Sequence, residues 1–175
     1  MIKPECTDNA FLFIGSLFSS DNIFDAVLTT LTENFGNILY KTPTLPWNYT
    51  SHYNKELGTS IYRNFIFFEK SIDPSYLVDV KLITNEIERV FSHNNNRQIN
   101  LDPGYITLAK VVLASTKNYS HRIYLGRAIY GELALLFKNG KFISLPYTYN
   151  DYKDEIYLNI FMKVRRLIKE KIGSD

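Results

Sequence analysis

The chain has 175 residues, a net charge of +2, and an ordinary balance of 45% hydrophobic and 22% charged residues. This length and composition predict one globular domain over residues 1–175. The near-neutral charge argues against nucleic-acid binding through bulk electrostatics, although it leaves room for a local basic patch.

Several classes of protein are also disfavoured. One cysteine and three histidines are too few for a disulfide within the chain or for a zinc cluster, so no metal site is predicted. The N-terminus lacks the regions of a signal peptide, and no apolar run approaches the roughly 18 residues that a membrane helix needs. These features predict a cytoplasmic protein without a membrane partner. The sequence lacks the common motifs of nucleotide, dinucleotide, serine hydrolase and zinc protease sites, which are GxxxxGK[ST], GxGxxG, GxSxG and HExxH. No motif therefore indicates a cofactor, which stays unknown.

The first predicted elements form a β-α-β unit. The continuous apolar run at 10–18 predicts a strand. Apolar residues then recur with helical spacing over 24–35, and Gly36 stands where a helix C-terminal cap belongs. The run at 38–45 predicts the next strand, which Pro43 interrupts.

A second β-α-β unit follows. The apolar run at 61–69 predicts a strand, and Asp73-Pro74 is a typical helix start. This helix is predicted to continue to about His93, and a short strand is predicted over 97–101.

The last third of the chain contains a hairpin and a helix. The segment 106–114 is ambiguous between strand and short helix because its period fits neither. The runs 121–136 and 141–145 predict strands joined by an Asn-Gly turn, and an apolar stripe over 152–172 predicts a final helix. The whole order predicts an α+β fold with a ferredoxin-like β-α-β repeat core, extended by the β-hairpin and the C-terminal amphipathic helix. The alternative is an α/β doubly wound parallel sheet.

Charged residues are concentrated between 100 and 136, beside two apolar runs. Charged groups next to buried segments are unfavourable unless they are paired or bind a ligand, so we expect a site here. The charged residues of this region are Asp102, Lys110, Lys117, His121, Arg122, Arg127 and Glu132.

The central candidates are His121, Arg122 and Glu132. His121 can act as a general acid or base near neutral pH, and Arg122 can hold a carboxylate or phosphate. On a strand, adjacent side chains point to opposite faces, so only one of these two would enter a pocket. Glu132 lies within an apolar run and needs a partner, for which Arg63 and Lys81 are candidates. The alternative is that these residues have a structural role, in which His121 is held by a hydrogen bond and Arg122 and Glu132 form ordinary ion pairs.

Two other segments add candidates. Helical steps of 100° place Lys81, Asn85 and Glu88 along one border of a predicted helix, either as a solvated rim or facing a groove. The loop that holds Tyr53 and Glu56 is either a lid or simply polar. The predicted catalytic residues are His121, Glu132 and Glu56, and the predicted ligand contacts are Arg63, Lys81, Asn85, Asp102, Lys117, Arg122, Tyr53 and Tyr124.

Aromatic residues are abundant, with 13 tyrosines and 12 phenylalanines. Tyrosine combines apolar area with a hydroxyl group and is often half-buried around a pocket. The segments LPWNY at 45–49 and LPYTY at 145–149 resemble each other. They are either the aromatic ends of two strands or two aromatic walls that flank one cleft.

Five segments carry a resemblance to a known family. They are TxxYxxExG at 50–58, KxxTNxxE at 81–88, NLDPGY at 100–105, KxxxHRIYLG at 117–126 and TYxDY at 148–152. Together they resemble the bacterial family named domain of unknown function 4416 over nearly the whole chain. His52 stands where the family usually has Tyr, Tyr147 where it usually has Trp, and Asn150 where it usually has Pro. The resemblance implies a shared fold and no particular reaction.

These observations lead to two hypotheses. The first is a cytoplasmic protein that binds a small anionic ligand, such as a nucleotide or a phosphorylated metabolite, in a polar pocket with acid–base chemistry. The second is a non-enzymatic module that binds protein or RNA through its Tyr-rich surface and its basic final helix.

Overall fold

The computed structural model describes residues 9–173, in which helices separate the strands of the first half and consecutive strands fill most of the second half. The strands are β1 Ala10–Phe18, β2 Ile38–Lys41, β3 Leu45–Trp47, β4 Ile61–Ile72, β5 Ser92–His93, β6 Asn96–Arg97, β7 Ile99–Ile106, β8 Lys110–Ser115, β9 Ile123–Gly126, β10 Ile129–Lys138 and β11 Lys141–Ser144. The α-helices are α1 Asp21–Phe35, α2 Asn54–Leu57, α3 Leu77–Val90 and α4 Glu155–Ile172.

The central feature is a nine-stranded sheet with the order β11-β10-β8-β7-β1-β4-β2, in which β3 also pairs with β4 and β9 with β10. Each of these pairings is antiparallel. Two β-α-β connections, β1-α1-β2 and β4-α3-β7, each join parallel strands that have one antiparallel strand between them. The α+β prediction is therefore confirmed, and the parallel doubly wound alternative is wrong. The finer ferredoxin-like description stays a prediction.

Helices cover both faces of the sheet. Leu12 and Ile14 of β1 point toward α1 and α3, in a core that includes Val27 and Val80. The alternating residues of β1, such as Phe13, belong to a second core with α4. We call the side of the sheet that carries α4 the α4 face. The polar residues of the candidate site lie on this face.

Two predicted elements are divided by turns that the sequence pattern did not indicate. The ambiguous segment 106–114 contains the end of β7, a tight turn and the start of β8. Thr107 holds this turn, because its Oγ1 accepts hydrogen bonds from the backbone N–H groups of Ala109 and Lys110 at 3.1 and 3.2 Å. The predicted strand over 121–136 is likewise two strands, β9 and β10, separated at Arg127 and Ala128.

The β9–β10 turn is strained. Arg127 and Ala128 have φ values of +47° and +60°, which non-glycine residues adopt at a cost. In the β10–β11 turn, the residues with positive φ are Asn139 and Gly140, which are the residue types that such turns favour.

We expect Ala128→Gly to raise the free energy of unfolding by about 0.5–1 kcal/mol, because the relief of backbone strain exceeds the cost of the added entropy of the unfolded chain. Urea unfolding of the variant and the wild type measures this change in the free energy of unfolding. Gly140→Ala, the matched control, should lower stability, and an unchanged midpoint for Ala128→Gly would contradict the expectation.

Candidate functional site

The sheet register brings polar residues from distant strands together on the α4 face. Gly15 lies opposite Asp102 of β7, and Leu17 lies opposite Arg63 of β4. Glu132 of β10 lies opposite Leu113 of β8, two residues before Ser115. We define the polar strip as the residues that follow one another across this face: Arg63, Asp102, Ser115, Arg122, Glu132 and His121.

Glu132 is the anchor of one end of the polar strip. Its side chain is 1% exposed, and its Oε2 atom lies 3.0 Å from His121 Nε2 and 2.8 Å from Arg122 Nε. The other oxygen, Oε1, is buried and has no hydrogen-bond partner among the described residues. The prediction that Arg63 or Lys81 would pair with Glu132 is therefore wrong, since the partners come from the segment just before β9.

Both His121 and Arg122 reach the same carboxylate, although adjacent side chains on a strand would diverge. The reason is that the two residues precede β9, in the turn that follows β8. The backbone N–H of Arg122 donates to the Tyr119 carbonyl at 2.9 Å, which fixes this turn. The expectation that only one of the two would enter the site rested on a continuous strand and is wrong.

Arg122 is held by contacts on several sides. Beyond Glu132, its Nη1 donates to Ser115 Oγ at 2.7 Å and to the Lys117 carbonyl at 3.1 Å, and its Nη2 donates to Tyr149 Oη at 2.7 Å. Burial by itself lowers the pKa of Arg122, but Glu132 and Tyr149 raise it above its ordinary value. Arg122 therefore stays charged and fixes the position of Glu132, with one N–H of Nη2 left over.

His121 is the part of this end that reaches solvent. Its side chain is 23% exposed, and its ring stacks on Tyr147 with centroids 4.4 Å apart and planes 15° apart. An ionised carboxylate can only accept a hydrogen bond, so contact with Glu132 places the proton of a neutral His121 on Nε2. Nδ1 is then a free acceptor, and it has no hydrogen bond within the described residues. A buried carboxylate that orients a partly exposed imidazole is suited to proton transfer.

Arg63 forms the other end of the polar strip. Its side chain is 3% exposed, and its Nη2 lies 2.6 Å from Asp151 Oδ2. The Trp47 indole donates to the same oxygen at 3.0 Å. Gly15 makes room for this arginine, because a Cβ atom there would lie 2.8 Å from Arg63 Nη1. Burial lowers the pKa of Arg63, but Asp151 and its neighbours raise it above the ordinary value, so the cation is permanent.

Asp102 contacts Arg63 at one end of the polar strip, and Tyr149 contacts Arg122 at the other end. Asp102 Oδ2 accepts from Asn100 Nδ2 at 2.8 Å and lies 3.5 Å from Arg63 Nη1, while its side chain is 32% exposed. Burial raises the pKa of Tyr149 and Arg122 lowers it, whereas the charges of Asp102 and Glu132 raise it further.

Three predicted residues serve the structure elsewhere. Lys81 Nζ donates to the Leu101 carbonyl at 3.1 Å, and the Leu101 N–H donates to Glu88 Oε1 at 2.5 Å, so α3 completes the part of β7 that β8 does not reach. Glu56 Oε2 accepts from Arg97 at 2.7 and 3.1 Å. These contacts do not involve His121.

The remaining predicted ligand contacts differ in position. Lys117 is exposed on the turn that also holds His121, and Tyr124 is exposed on β9, where its ring packs against Tyr130. Tyr53 packs edge-on against Trp47, and burial and the Asp102 charge raise its pKa. Asn85 makes no polar contact within residues 9–173.

Sequence reasoning missed several members of the site. They are Ser115, Tyr147, Tyr149 and Asp151. Three of them lie in or beside the LPYTY segment. The resemblance between LPWNY and LPYTY was therefore a usable signal for this part of the site. Ser115 carried no signal, because its role depends on where the turn after β8 returns Arg122.

Some basic residues of α4 make contacts within the molecule, while Arg166 and Lys169 are exposed. Arg165 Nε donates to the Leu108 carbonyl at 2.7 Å, and its guanidinium lies 3.4 Å from the Phe137 ring centroid. Lys163 lies 4.2 Å from the Tyr40 ring centroid.

Fold and site together define an α+β protein with an antiparallel sheet and a polar strip on one face. The chain belongs to the family described as Domain of unknown function (DUF4416), which matches residues 8–167 and confirms the resemblance. Comparisons with curated proteins and with solved structures gave no match. Within residues 9–173, no helix has the length and apolar character needed to cross a bilayer, and no cluster of three His, Cys, Asp or Glu side chains is arranged to hold a metal ion.

Proposed function

We propose that this protein binds a small anionic ligand beside the exposed edge of His121 and exchanges a proton with it. The observation that carries the proposal is the buried Glu132 carboxylate, which contacts His121 and Arg122 through one oxygen. The Arg122–Glu132 pair is neutral overall, so Glu132 does not leave a net negative charge that would repel an anion at His121. The exposed Lys117 adds a positive charge on the same turn.

The contacts narrow the set of residues that would meet the ligand. Arg63 and Arg122 use their donors mainly within the protein, so they act as buried supports and not as ligand contacts, and Lys81 is occupied at the Leu101 carbonyl. His121 and Lys117 have free polar atoms at the surface, and Tyr147 supports the imidazole ring. A phosphate or carboxylate would accept a hydrogen bond from protonated His121 and gain attraction from Lys117.

A thermal-shift experiment tests this proposal. The probes are inorganic phosphate, ribose 5-phosphate and adenosine 5′-monophosphate. At one hundred times its Kd, a ligand stabilises by about 2.7 kcal/mol, which is a rise of roughly 5–10 °C in Tm for a domain of this size. We expect His121→Ala to lose this rise and the control His93→Ala to keep it, because His93 is exposed on β5. A wild-type Tm that no probe raises, or a full rise in His121→Ala, would contradict the proposal.

A further inference from the structure

Two tyrosine rings adjoin His121, and one of them is half-exposed. Tyr147 stacks on the imidazole with centroids 4.4 Å apart and planes 15° apart, so this contact covers one face of His121. The Tyr119 ring lies 6.0 Å from the imidazole, centroid to centroid, with the two planes at 50°. Tyr119 is 49% exposed, so it presents an aromatic surface beside the imidazole that the proposed ligand would meet.

One face of the Tyr119 ring is covered from within the protein. The Arg122 guanidinium lies 4.5 Å from the ring centroid, and the Arg122 side chain is 1% exposed. Tyr119 therefore shields a buried cation with one face of its ring. Because half of the residue still reaches solvent, the opposite face is open to a flat group that arrives from outside.

The contacts of the turn before β9 hold Tyr119 in place. The Tyr119 N–H donates to the Lys117 carbonyl at 3.1 Å, and the Tyr119 carbonyl accepts from the Arg122 N–H at 2.9 Å. The cation–π contact with Arg122 orients the ring itself. A ring that is already ordered loses little conformational freedom on binding, so stacking on it would contribute to affinity.

We propose that Tyr119 stacks on an aromatic ring of the ligand whose anionic group lies at His121 and Lys117. This inference rests on the proposed function, because it concerns the same ligand. The 6.0 Å between the centroids of His121 and Tyr119 keeps both contacts within reach of one small molecule. The ligand class is thus a phosphate that carries an aromatic ring. Two sources share this chemistry: an aryl phosphate, and a nucleotide in which a sugar joins the ring to the phosphate.

Other groups fit the open face of Tyr119 less well. An aliphatic group has no π-system with which to form the offset stack that aromatic pairs prefer. A cationic group would be attracted to the tyrosine ring, but it would also meet the positive charges of Lys117 and of Arg122 behind the ring. A neutral aromatic ring gains the stacking contact without this repulsion.

Calorimetry with paired ligands tests the inference. The pairs are adenosine 5′-monophosphate with ribose 5-phosphate, and phenyl phosphate with inorganic phosphate, so each pair shares the phosphate and differs in the aromatic ring. We expect the wild type to bind the aromatic member of at least one pair about tenfold more tightly than its partner. Tyr119→Leu should bring this ratio close to one, whereas Tyr119→Phe keeps the ring and should keep the ratio.

Tyr124→Leu is the matched control for the loss of a tyrosine ring. Tyr124 is also exposed, but its ring packs against Tyr130, and it makes no ring contact with His121 within residues 9–173. This variant should keep the wild-type ratio. Leucine at position 119 leaves an apolar cover over Arg122, and an unchanged urea midpoint checks that the site is intact.

The outcomes separate this inference from the proposed function. A preference for adenosine 5′-monophosphate identifies a nucleotide, and a preference for phenyl phosphate alone identifies an aryl phosphate. Equal affinity of the wild type within both pairs, with loss of binding in His121→Ala, would overturn the stacking contact and leave the anion site standing. An aromatic preference that Tyr119→Leu retains would also overturn the stacking contact. Absence of binding by every phosphate probe would overturn both proposals.

Discussion

Replacing Glu132 by alanine is expected to lower the free energy of unfolding by about 3–5 kcal/mol. Glu132 neutralises the buried Arg122 guanidinium, which lies 2.8 Å away. Without the carboxylate, this cation remains buried, and its hydrogen-bond acceptors are all neutral. They are the Ser115 hydroxyl, the Lys117 backbone carbonyl and the Tyr149 hydroxyl. Chemical denaturation followed by circular dichroism measures the loss.

Two further variants show whether charge is the cause. Glu69 pairs with Lys171 at 3.4 Å but its side chain is 47% exposed, so Glu69→Ala should change stability little. The double variant Glu132→Leu with Arg122→Met removes both charges and should be much more stable than Glu132→Ala alone. A double variant as unstable as the single one would show that shape, and not the uncompensated charge, dominates at this position.

The second large effect is expected for Asp151→Ala, again with a loss of about 3–5 kcal/mol. The change would leave Arg63 with the 3.5 Å contact to Asp102 as its remaining ion pair among the described residues and would remove the acceptor of the Trp47 indole. Trp47 is the single tryptophan of the chain, so its fluorescence reports directly on this end of the polar strip. We expect a shifted emission maximum in the folded variant as well as a lower denaturation midpoint.

Asp154→Ala provides the matched control for this second change. Asp154 caps α4 by accepting from the Ile156 N–H at 3.0 Å, and it also accepts from Tyr49 Oη at 2.6 Å. Loss of a helix cap costs about 1 kcal/mol, and the Trp47 indole keeps its partner in this variant. Equal losses in the two variants, with unchanged Trp47 emission in Asp151→Ala, would be inconsistent with a central role for the Arg63–Asp151 pair.

Local signals in the sequence predicted the regular elements well. The spacing of Phe24, Val27 and Leu31 predicted α1, and all three side chains are buried. The Asn139-Gly140 pair predicted the β10–β11 hairpin, and both residues have positive φ there. Such features depend on neighbours within one turn of chain, so a single sequence is enough to identify them.

The missed turns show where local signals fail. The turn between β7 and β8 depends on the Thr107 side chain, and threonine is also common in strands. In the turn between β9 and β10, Arg127 and Ala128 adopt positive φ, a conformation that glycine and asparagine favour. In both places the surrounding strand pairs impose a backbone geometry that the turn residues do not encode by themselves.

The sequence by itself predicted the α+β class ahead of the α/β alternative, the three long helices and most strands, and a carboxylate at Glu132 that requires a partner; it did not predict α2, which lies in the segment interpreted as a loop. Only the tertiary structure decided that this partner is the His121–Arg122 pair, and that Arg63 joins Asp151 across 88 positions of chain. The physical reason is that periodicity and caps are properties of adjacent residues, whereas each of these ion pairs joins a strand residue to a residue outside the strands. Their partners therefore depend on where the connecting segments return across the sheet, and burial in a low-dielectric environment makes the pairing obligatory.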